Sequence, residues 1–271
     1  MTIPYITPKQ QEIPRLIYKF RFLNRLQIQK LLKHKHHKRI IDWLNDLVEK
    51  DYIQKVSKNN TFEERTKLTI YSIGINGIRF LKIQDNYSDM VINKLYRDKD
   101  RSVNFINQCI LLCDIYLDLQ NINDEKNNIR YNALTHSDFV DPNSSFHFLL
   151  DLNPNLIYEE VKKCTTKSKV TKSKYFLVEI FETTMPSYSI NKRIRTYIEF
   201  YYSNEWEDNI DDPFPTIKFI CPTKAIRINT KRYTKKLLED NQQPEDLHIR
   251  FATIDEVKEH EITGEIWEEA E

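Results

Sequence analysis

Residues 24–56 read NRLQIQKLLKHKHHKRIIDWLNDLVEKDYIQKV and contain the strongest structural pattern in the chain. Asn24 is a residue type favoured at helix N-caps, and a short apolar-periodic segment follows it. After a basic segment comes a second helical pattern, with apolar side chains at Ile40, Ile41, Leu44, Leu47 and Val48. Residues 52–56 then have the composition of a short strand. The stretch predicts two helices, joined by a turn and followed by a strand.

The flanking segments extend this pattern in both directions. Ile13–Phe20 predicts a preceding helix with Pro14 in its first turn, where proline is tolerated. A polar segment over 57–66 leads to a second strand at Leu68–Ile73, and a further helix passes through Ile78. Three helices and a two-stranded hairpin with a polar tip predict a winged helix-turn-helix domain over residues 1–85.

The basic start of the third predicted helix is the main candidate for function. A recognition helix enters the major groove most easily with its first residues at the base edges, and residues at a wing tip can reach the DNA backbone or minor groove. The predicted DNA-binding residues are Lys35, His36, His37, Lys38, Arg39, Lys58, Asn59, Asn60 and Arg65. Some winged helices bind protein instead, and this alternative stays open. No metal is expected at the histidines, because no partner stands at zinc spacing.

The net charge of +1 conceals a strong asymmetry along the chain. Residues 1–85 contain 17 Lys+Arg against 8 Asp+Glu, whereas residues 240–271 contain 2 against 11. A basic head suggests a polyanionic partner. Residues 255–271 are expected to form an acidic tail that either competes with DNA for the basic head or is simply solvated.

A long helix is predicted over residues 101–119, within a linker region over 86–120. Its apolar residues recur every three or four positions: Val103, Ile106, Ile110, Cys113 and Leu117. This seam either packs on one of the domains or forms a homodimer. Cys109 and Cys113 stand four residues apart but lack further ligands, so core packing of reduced thiols is expected.

The second half of the chain changes character after the polar boundary at 121–128. Strand-like runs occur at Phe146–Leu150, Leu156–Val161, Tyr175–Phe181, Ile217–Cys221 and Ile249–Ile254. Helical patterns at Ile190–Tyr202 and Thr230–Glu239 separate the later ones. This alternation predicts an α/β domain with a mixed sheet over residues 121–254, and an α+β fold class for the whole chain.

Carboxylates near two of these strands raise the question of catalysis. Glu179 and Glu159 lie in neighbouring predicted strands close to Asn155, and Glu182 follows the second strand. Metal-assisted cleavage of a phosphodiester needs convergent carboxylates around Mg²⁺. These three glutamates are the weak catalytic candidates.

Several segments, together with their order, resemble the replication-relaxation family. They are PNLI at 154–157, FLVEIF at 176–181 and PTIKFICP at 215–222, preceded by the winged helix and the long helix. The resemblance spans roughly residues 13–240 and implies a protein of a plasmid or other mobile element, acting in replication, relaxation or mobilisation, or copy control. It also implies a second domain similar in outline to PD-(D/E)-x-K nucleases, with a restriction-endonuclease-like core.

The sequence departs from that nuclease pattern at two decisive positions. Asn155 stands where the first aspartate is expected, and Phe181 stands where the lysine is expected. An amide binds Mg²⁺ more weakly than a carboxylate, and a phenyl ring cannot orient water. The resemblance therefore implies a degenerate nuclease fold, with no cofactor unless the domain is active with Mg²⁺.

Three functional hypotheses follow for this chain. The first is a sequence-directed binding protein for double-stranded DNA, with replication or relaxase proteins as further partners. The alternatives are a metal-dependent DNA endonuclease and a winged-helix transcriptional repressor. No run of about 18 apolar residues occurs and the N-terminus does not resemble a secretory signal, so a cytoplasmic protein without a membrane partner is expected.

Overall fold

The computed structural model describes residues 3–56, 68–84, 87–122, 129–162, 172–240 and 244–270. It divides into two compact units, Met1–Leu117 and Asp118–Glu271. Both contain helices, with a small antiparallel sheet in the first and a mixed sheet in the second, so the predicted α+β composition is confirmed. Among the described helices, none has the length and apolar character needed to cross a bilayer.

The first helix begins earlier than the apolar pattern predicted. α1 spans Pro8–Phe20, because Thr7 caps it in a reciprocal capping box with Gln10. Pro14 therefore lies inside the helix, and its placement in the first turn was wrong. Lacking an N–H, Pro14 leaves the carbonyl of Gln10 without its usual helical donor.

The next two helices follow the predicted pattern. α2 spans Arg25–Leu31 and is capped by Asn24, as predicted, through a second capping box with Gln27. α3 spans His37–Glu49 and buries Ile40, Leu44 and Leu47. Ile41, expected to help hold this helix to the core, is instead 37% exposed. One residue turns a helix by about 100°, which directs Ile41 away from the buried stripe of Ile40.

A three-stranded antiparallel sheet completes this region. β1 (Leu23–Asn24) and β2 (Ile53–Lys55) both pair with β3 (Ile70–Ile73), in the order β1-β3-β2. Two helices follow, α4 at Ile75–Lys82 and α5 at Asp89–Leu95. The wing-tip candidates Lys58, Asn59, Asn60 and Arg65 lie outside the described residues.

The segment after α5 is joined to the first unit by a buried ion pair. Asp98, in a 3₁₀ turn at Asp98–Asp100, is 1% exposed and accepts hydrogen bonds from the Arg21 guanidinium. Burial raises the pKa of Asp98, although Arg21 and Arg101 oppose that effect. Residues that the sequence assigned to a linker thus pack onto the end of α1.

The long helix α6 spans Val103–Asn121, and most of the residues of its apolar seam are buried. Ile106, Cys113 and Leu117 are buried, while Val103 at the start is 55% exposed. In the first unit, the Gln27 amide of α2 donates to the Ile110 carbonyl and to Asp114, both at 2.8 Å. Most of the apolar seam thus packs within the chain, and the homodimer through residues 101–119 stays a prediction.

The second unit is built on a six-stranded sheet in the order β4-β5-β6-β7-β8-β9. Its strands are β4 (Ile129–Thr135), β5 (Leu156–Lys162), β6 (Lys172–Ile180), β7 (Thr216–Cys221), β8 (Ile249–Thr253) and β9 (Glu268–Glu269). β6, β7 and β8 are parallel, and the outer pairs are antiparallel. A short helix α7 at His136–Phe139 follows β4.

Two crossover helices cover one face of this sheet. α8 (Ser187–Tyr202) connects β6 to the short α9 (Glu205–Asn209) and β7, and α10 (Lys224–Asp240) connects β7 to β8. Ile190, Ile194 and Leu238 from the helices pack in one core with Leu177 and Phe219 from the sheet. The mixed sheet and both helices were predicted from the sequence.

Two sheet predictions need correction. Phe146–Leu150, expected as a strand, forms a 3₁₀ turn at His147–Leu150. Its aromatic rings pack against Trp206 at centroid distances of 6.0–6.3 Å, so burial rather than strand pairing accounts for the apolar run. β4 was not predicted, since this edge strand mixes polar and apolar residues and has no apolar run.

The acidic C-terminal region is folded. α11 spans Ile254–His260, β9 pairs with β8, and Ala270 is buried. Glu256 pairs with Arg227, and Glu269 pairs with Arg250. Residues 255–270 therefore continue the second unit rather than forming a separate tail.

Candidate nucleic-acid interface

The basic segment predicted to contact DNA lies in the turn before α3 and in its first turn. Lys35 and His36 precede the helix, while His37, Lys38 and Arg39 are its first three residues. All five side chains are exposed. The structure thus brings the five described candidates together at one end of one helix.

Aromatic packing fixes the turn that presents these side chains. The His34 ring lies edge-on to Trp43 with centroids 5.0 Å apart, and its Nδ1 lies 3.2 Å from the His36 N–H, which donates to it. The Gln29 amide donates to the His34 carbonyl at 3.0 Å. The Arg39 guanidinium lies 5.5 Å from the centre of the Trp43 ring. These contacts limit the freedom of the turn and reduce the entropy lost on binding.

The cations of this turn lack neutralising partners. Within the described ranges, no carboxylate lies within ion-pair distance of Lys35, Lys38 or Arg39. Two further exposed lysines, Lys30 and Lys33, stand at the end of α2 and just after it. We call these five side chains the α3 cluster: Lys30, Lys33, Lys35, Lys38 and Arg39. Lys30 and Lys33 were not among the predicted contacts, because Lys30 belongs to the α2 pattern and Lys33 lies in the turn that follows it.

The charge of α3 changes sign after its first turn. Asp42 and Glu49 are exposed, and Asp46 is held by Lys50 and by the Gln10 amide. Backbone N–H groups and the helix dipole add positive potential at the N-terminal end. A polyanion is therefore attracted to the first turn and repelled farther along the helix, which is the polarity of a helix entering a groove by its N-terminus.

Glu179, the central catalytic candidate, is bound by other side chains of the second unit. Its carboxylate accepts hydrogen bonds from Arg193 Nε at 2.9 Å and Nη2 at 2.8 Å, and from the Tyr197 hydroxyl at 2.8 Å. Burial and the charge of Glu179 raise the pKa of Tyr197. Burial alone would lower the pKa of Arg193, but Glu179 outweighs it and raises that pKa.

The other candidates do not converge on Glu179. Glu159 lies opposite Tyr175, four residues before Glu179 on β6, which places the two backbone positions about 13 Å apart. Its carboxylate accepts from Ser173 at 2.7 Å and from Asn132 at 2.8 Å. Glu182 lies beyond the end of β6. In the part of the chain that the structure describes, no three metal-ligating side chains come together.

The two departures from the nuclease pattern have structural roles. The Asn155 side-chain oxygen accepts from the Ile180 N–H at 2.6 Å, and the Asn155 N–H donates to the Val178 carbonyl at 3.0 Å. Phe181 is fully buried, stacked on Phe219 with centroids 5.3 Å apart. Asn155 thus secures the end of β6, and Phe181 fills the core.

Lys218 of β7 is a buried amine that cannot replace the missing lysine. It pairs in register with Val178, whereas Glu179 pairs with Phe219, so Lys218 and Glu179 project from opposite faces of the sheet. Its Nζ donates to the Tyr158 hydroxyl at 2.7 Å and to the Ile262 carbonyl at 3.2 Å, 4.4 Å from the centre of the Trp267 ring. Burial and the Arg250 charge lower the pKa of Lys218 to about 7.

This lysine predicts a specific pH dependence of stability. Between about pH 7 and its ordinary pKa near 10.4, the unfolded chain binds a proton at Lys218 that the folded chain does not. Stability should therefore rise with pH in this window, by up to about 1.4 kcal/mol per unit. In urea unfolding from pH 7.5 to 9, we expect the free energy of unfolding of the wild type to rise relative to that of Lys218→Met. A constant difference between the two proteins would contradict the assignment.

Comparison with known proteins gives one match. The model of the family described as replication-relaxation matches residues 15–212, well over half of the chain. No curated protein and no solved structure gives a match. The matched range includes the α3 cluster, α6 and the sheet as far as β6, together with α8.

Proposed function

The chain belongs to the replication-relaxation family, and we propose that it is a sequence-directed binding protein for double-stranded DNA. Its setting is the cytoplasm, in the replication, relaxation, mobilisation or copy control of a plasmid or other mobile element. Replication or relaxase proteins would be its protein partners. Family membership supports this setting, and the α3 cluster supports the binding activity.

The observation that carries the proposal is the set of exposed, unpaired cations at the start of α3. Lysine and arginine that neutralise phosphates release condensed counterions, which supplies much of the affinity of DNA-binding proteins. Arg39, His36 and His37 at the helix start provide donors for base edges. Leu44 and Leu47, in the later turns of the helix, are buried and hold it to the core.

The order of elements in the first unit supports a winged helix-turn-helix. α2 and α3 follow one another through a five-residue turn, and the pairing of β3 with both β1 and β2 provides a sheet from which a wing would extend. Lys55 at the end of β2 is exposed where the wing would begin. Lys58, Asn59, Asn60 and Arg65 remain predicted contacts of that wing.

Selection of bound sequences from a random duplex pool, at a stated salt concentration, tests the proposal. We expect enrichment of a defined sequence that the full chain binds at least about 1,000-fold more tightly than unrelated duplex DNA. A pool that remains random after repeated selection would overturn sequence-directed recognition. A transcriptional repressor would use the same DNA interface, so the selection experiment does not separate the two roles. A gene for this protein located beside replication or relaxase genes would favour the role in replication or mobilisation.

We predict that the protein does not cleave DNA with a metal ion. Glu179 is occupied by Arg193 and Tyr197, and Glu159 lies too far away to share an ion with it. Supercoiled and linear DNA incubated with purified protein and Mg²⁺ or Mn²⁺ should remain intact on a gel. Metal-dependent nicking that disappears in Glu179→Gln would show that the carboxylate is catalytic.

A further inference from the structure

One helix of the second unit carries a surface unlike the rest of that unit. Residues 118–271 contain 20 Lys+Arg against 28 Asp+Glu, so the unit is acidic overall. Helix α10 nevertheless has six basic residues in its first thirteen positions: Lys224, Arg227, Lys231, Arg232, Lys235 and Lys236.

Two of these six residues are neutralised within the fold. Arg227 pairs with Glu256 at 2.8 Å and with Glu268 at 2.9 Å, and Lys231 lies 3.5 Å from Glu268. Their acidic partners come from α11 and β9. These two cations therefore join the C-terminal segment to α10.

The remaining four residues point outward, and we call them the α10 basic face: Lys224, Arg232, Lys235 and Lys236. At about 100° per residue they fall within an arc of about 120°, with the buried Thr230 on the opposite side of the helix. All four are exposed, and no carboxylate in the described part of the chain lies within ion-pair distance of them. Glu239 and Asp240 follow Lys235 and Lys236 by four residues but do not pair with them.

Helix α8 adds two cations to the unit's exposed positive charge. The Arg195 Nε donates to the Tyr233 hydroxyl of α10 at 2.5 Å, which orients the guanidinium without neutralising it. Lys192, three residues before Arg195, is exposed on the same side of α8. The exposed acid Glu199 follows Arg195 by four residues, one helical turn. Arg195 thus extends the positive surface along the flank of α10.

We propose that the α10 basic face is a second contact for the phosphate backbone of duplex DNA, separate from the α3 cluster. Uncompensated cations concentrated on an acidic unit repel one another, and a phosphate backbone supplies the missing counter-charge. The face offers flexible point charges rather than a preformed base-reading geometry, so it adds affinity without sequence preference. The inference goes beyond the proposed function, which assigns DNA recognition to the first unit.

The test compares two triple variants of the full chain on an unrelated duplex of fixed length. One carries Arg232→Gln, Lys235→Gln and Lys236→Gln. The matched control carries Arg130→Gln, Lys174→Gln and Lys258→Gln, three exposed cations of the second unit outside α8 and α10. From 50 to 200 mM salt, the first variant should show a log-log salt slope reduced by about 2 to 3 and at least about 10-fold weaker binding at low salt. The control should retain the wild-type slope.

Wild-type slope and affinity in the α10 variant would overturn the inference. Loss of binding to vesicles containing anionic lipid, with unchanged DNA binding, would assign the face to a membrane and would also overturn it. Substitution of the α3 cluster tests the proposed function separately. If the α3 variant loses binding to the selected duplex and the α10 variant binds like the wild type, the proposed function is supported and the second contact is excluded. Equal unfolding free energies of the variants confirm that the exposed substitutions leave the fold intact.

Discussion

Replacing Glu179 with alanine should destabilise the second unit by about 3–5 kcal/mol, which is the range for removing one partner of a buried ion pair. The change leaves the Arg193 guanidinium without its carboxylate and the buried Tyr197 hydroxyl without its acceptor. Glu179 is 7% exposed, so water cannot readily replace the lost partner. Urea unfolding of the full chain, followed by circular dichroism, measures the loss.

Glu182→Ala is the matched control for this substitution. Glu182 lies three residues after Glu179, is only half-buried, and makes no side-chain hydrogen bond or ion pair with any other described residue. Its replacement should change stability by less than about 0.5 kcal/mol. If Glu179→Ala were as stable as the control, or more stable than the wild type, the Glu179 carboxylate would not stabilise the second unit, which would contradict its structural role.

The elements with strong local signals were predictable from the sequence. The Asn24 cap, the α3 periodicity and the β6 and β7 apolar runs each depend on residues adjacent in the chain. Elements whose stability comes from distant partners were not. The start of α1 depends on the Thr7 capping box, and the Phe146–Leu150 region depends on Trp206, sixty residues farther along.

The candidate site shows the same division. The exposed positions of His37, Lys38 and Arg39 follow from the amphipathic pattern of α3, and Lys35 and His36 lie in the polar turn before it. Contact of these residues with DNA stays a prediction. Lys30 and Lys33 were missed because Lys30 belongs to the α2 pattern and Lys33 lies in the turn after it, at a positive φ of 49°. The partners of Glu179 come from α8, and sequence spacing gave no signal that Arg193 and Tyr197 would meet it.

The largest functional effect should come from replacing Lys35, Lys38 and Arg39 together with alanine. Each is exposed and without a carboxylate partner in the described structure, so each can neutralise a phosphate or reach a base edge. Three lost phosphate contacts would reduce the salt slope by about 2.7, and binding of the selected duplex at 100 mM salt should weaken by at least about 100-fold.

The matched control removes the same charge elsewhere in the first unit. Lys82, Arg97 and Lys99 are exposed and lie outside α2 and α3. Their joint replacement with alanine lowers the net charge equally but leaves the α3 cluster intact. A small, uniform loss of affinity in this control would represent the long-range effect of net charge alone.

Affinity for the selected duplex, titrated against salt for the wild type and these two triple variants, tests most directly whether the start of α3 binds DNA. We expect a steep wild-type slope, a nearly unchanged control, and a Lys35/Lys38/Arg39 variant that binds selected and unrelated duplexes almost equally weakly. Wild-type affinity, slope and discrimination in the Lys35/Lys38/Arg39 variant would show that the start of α3 does not contact DNA.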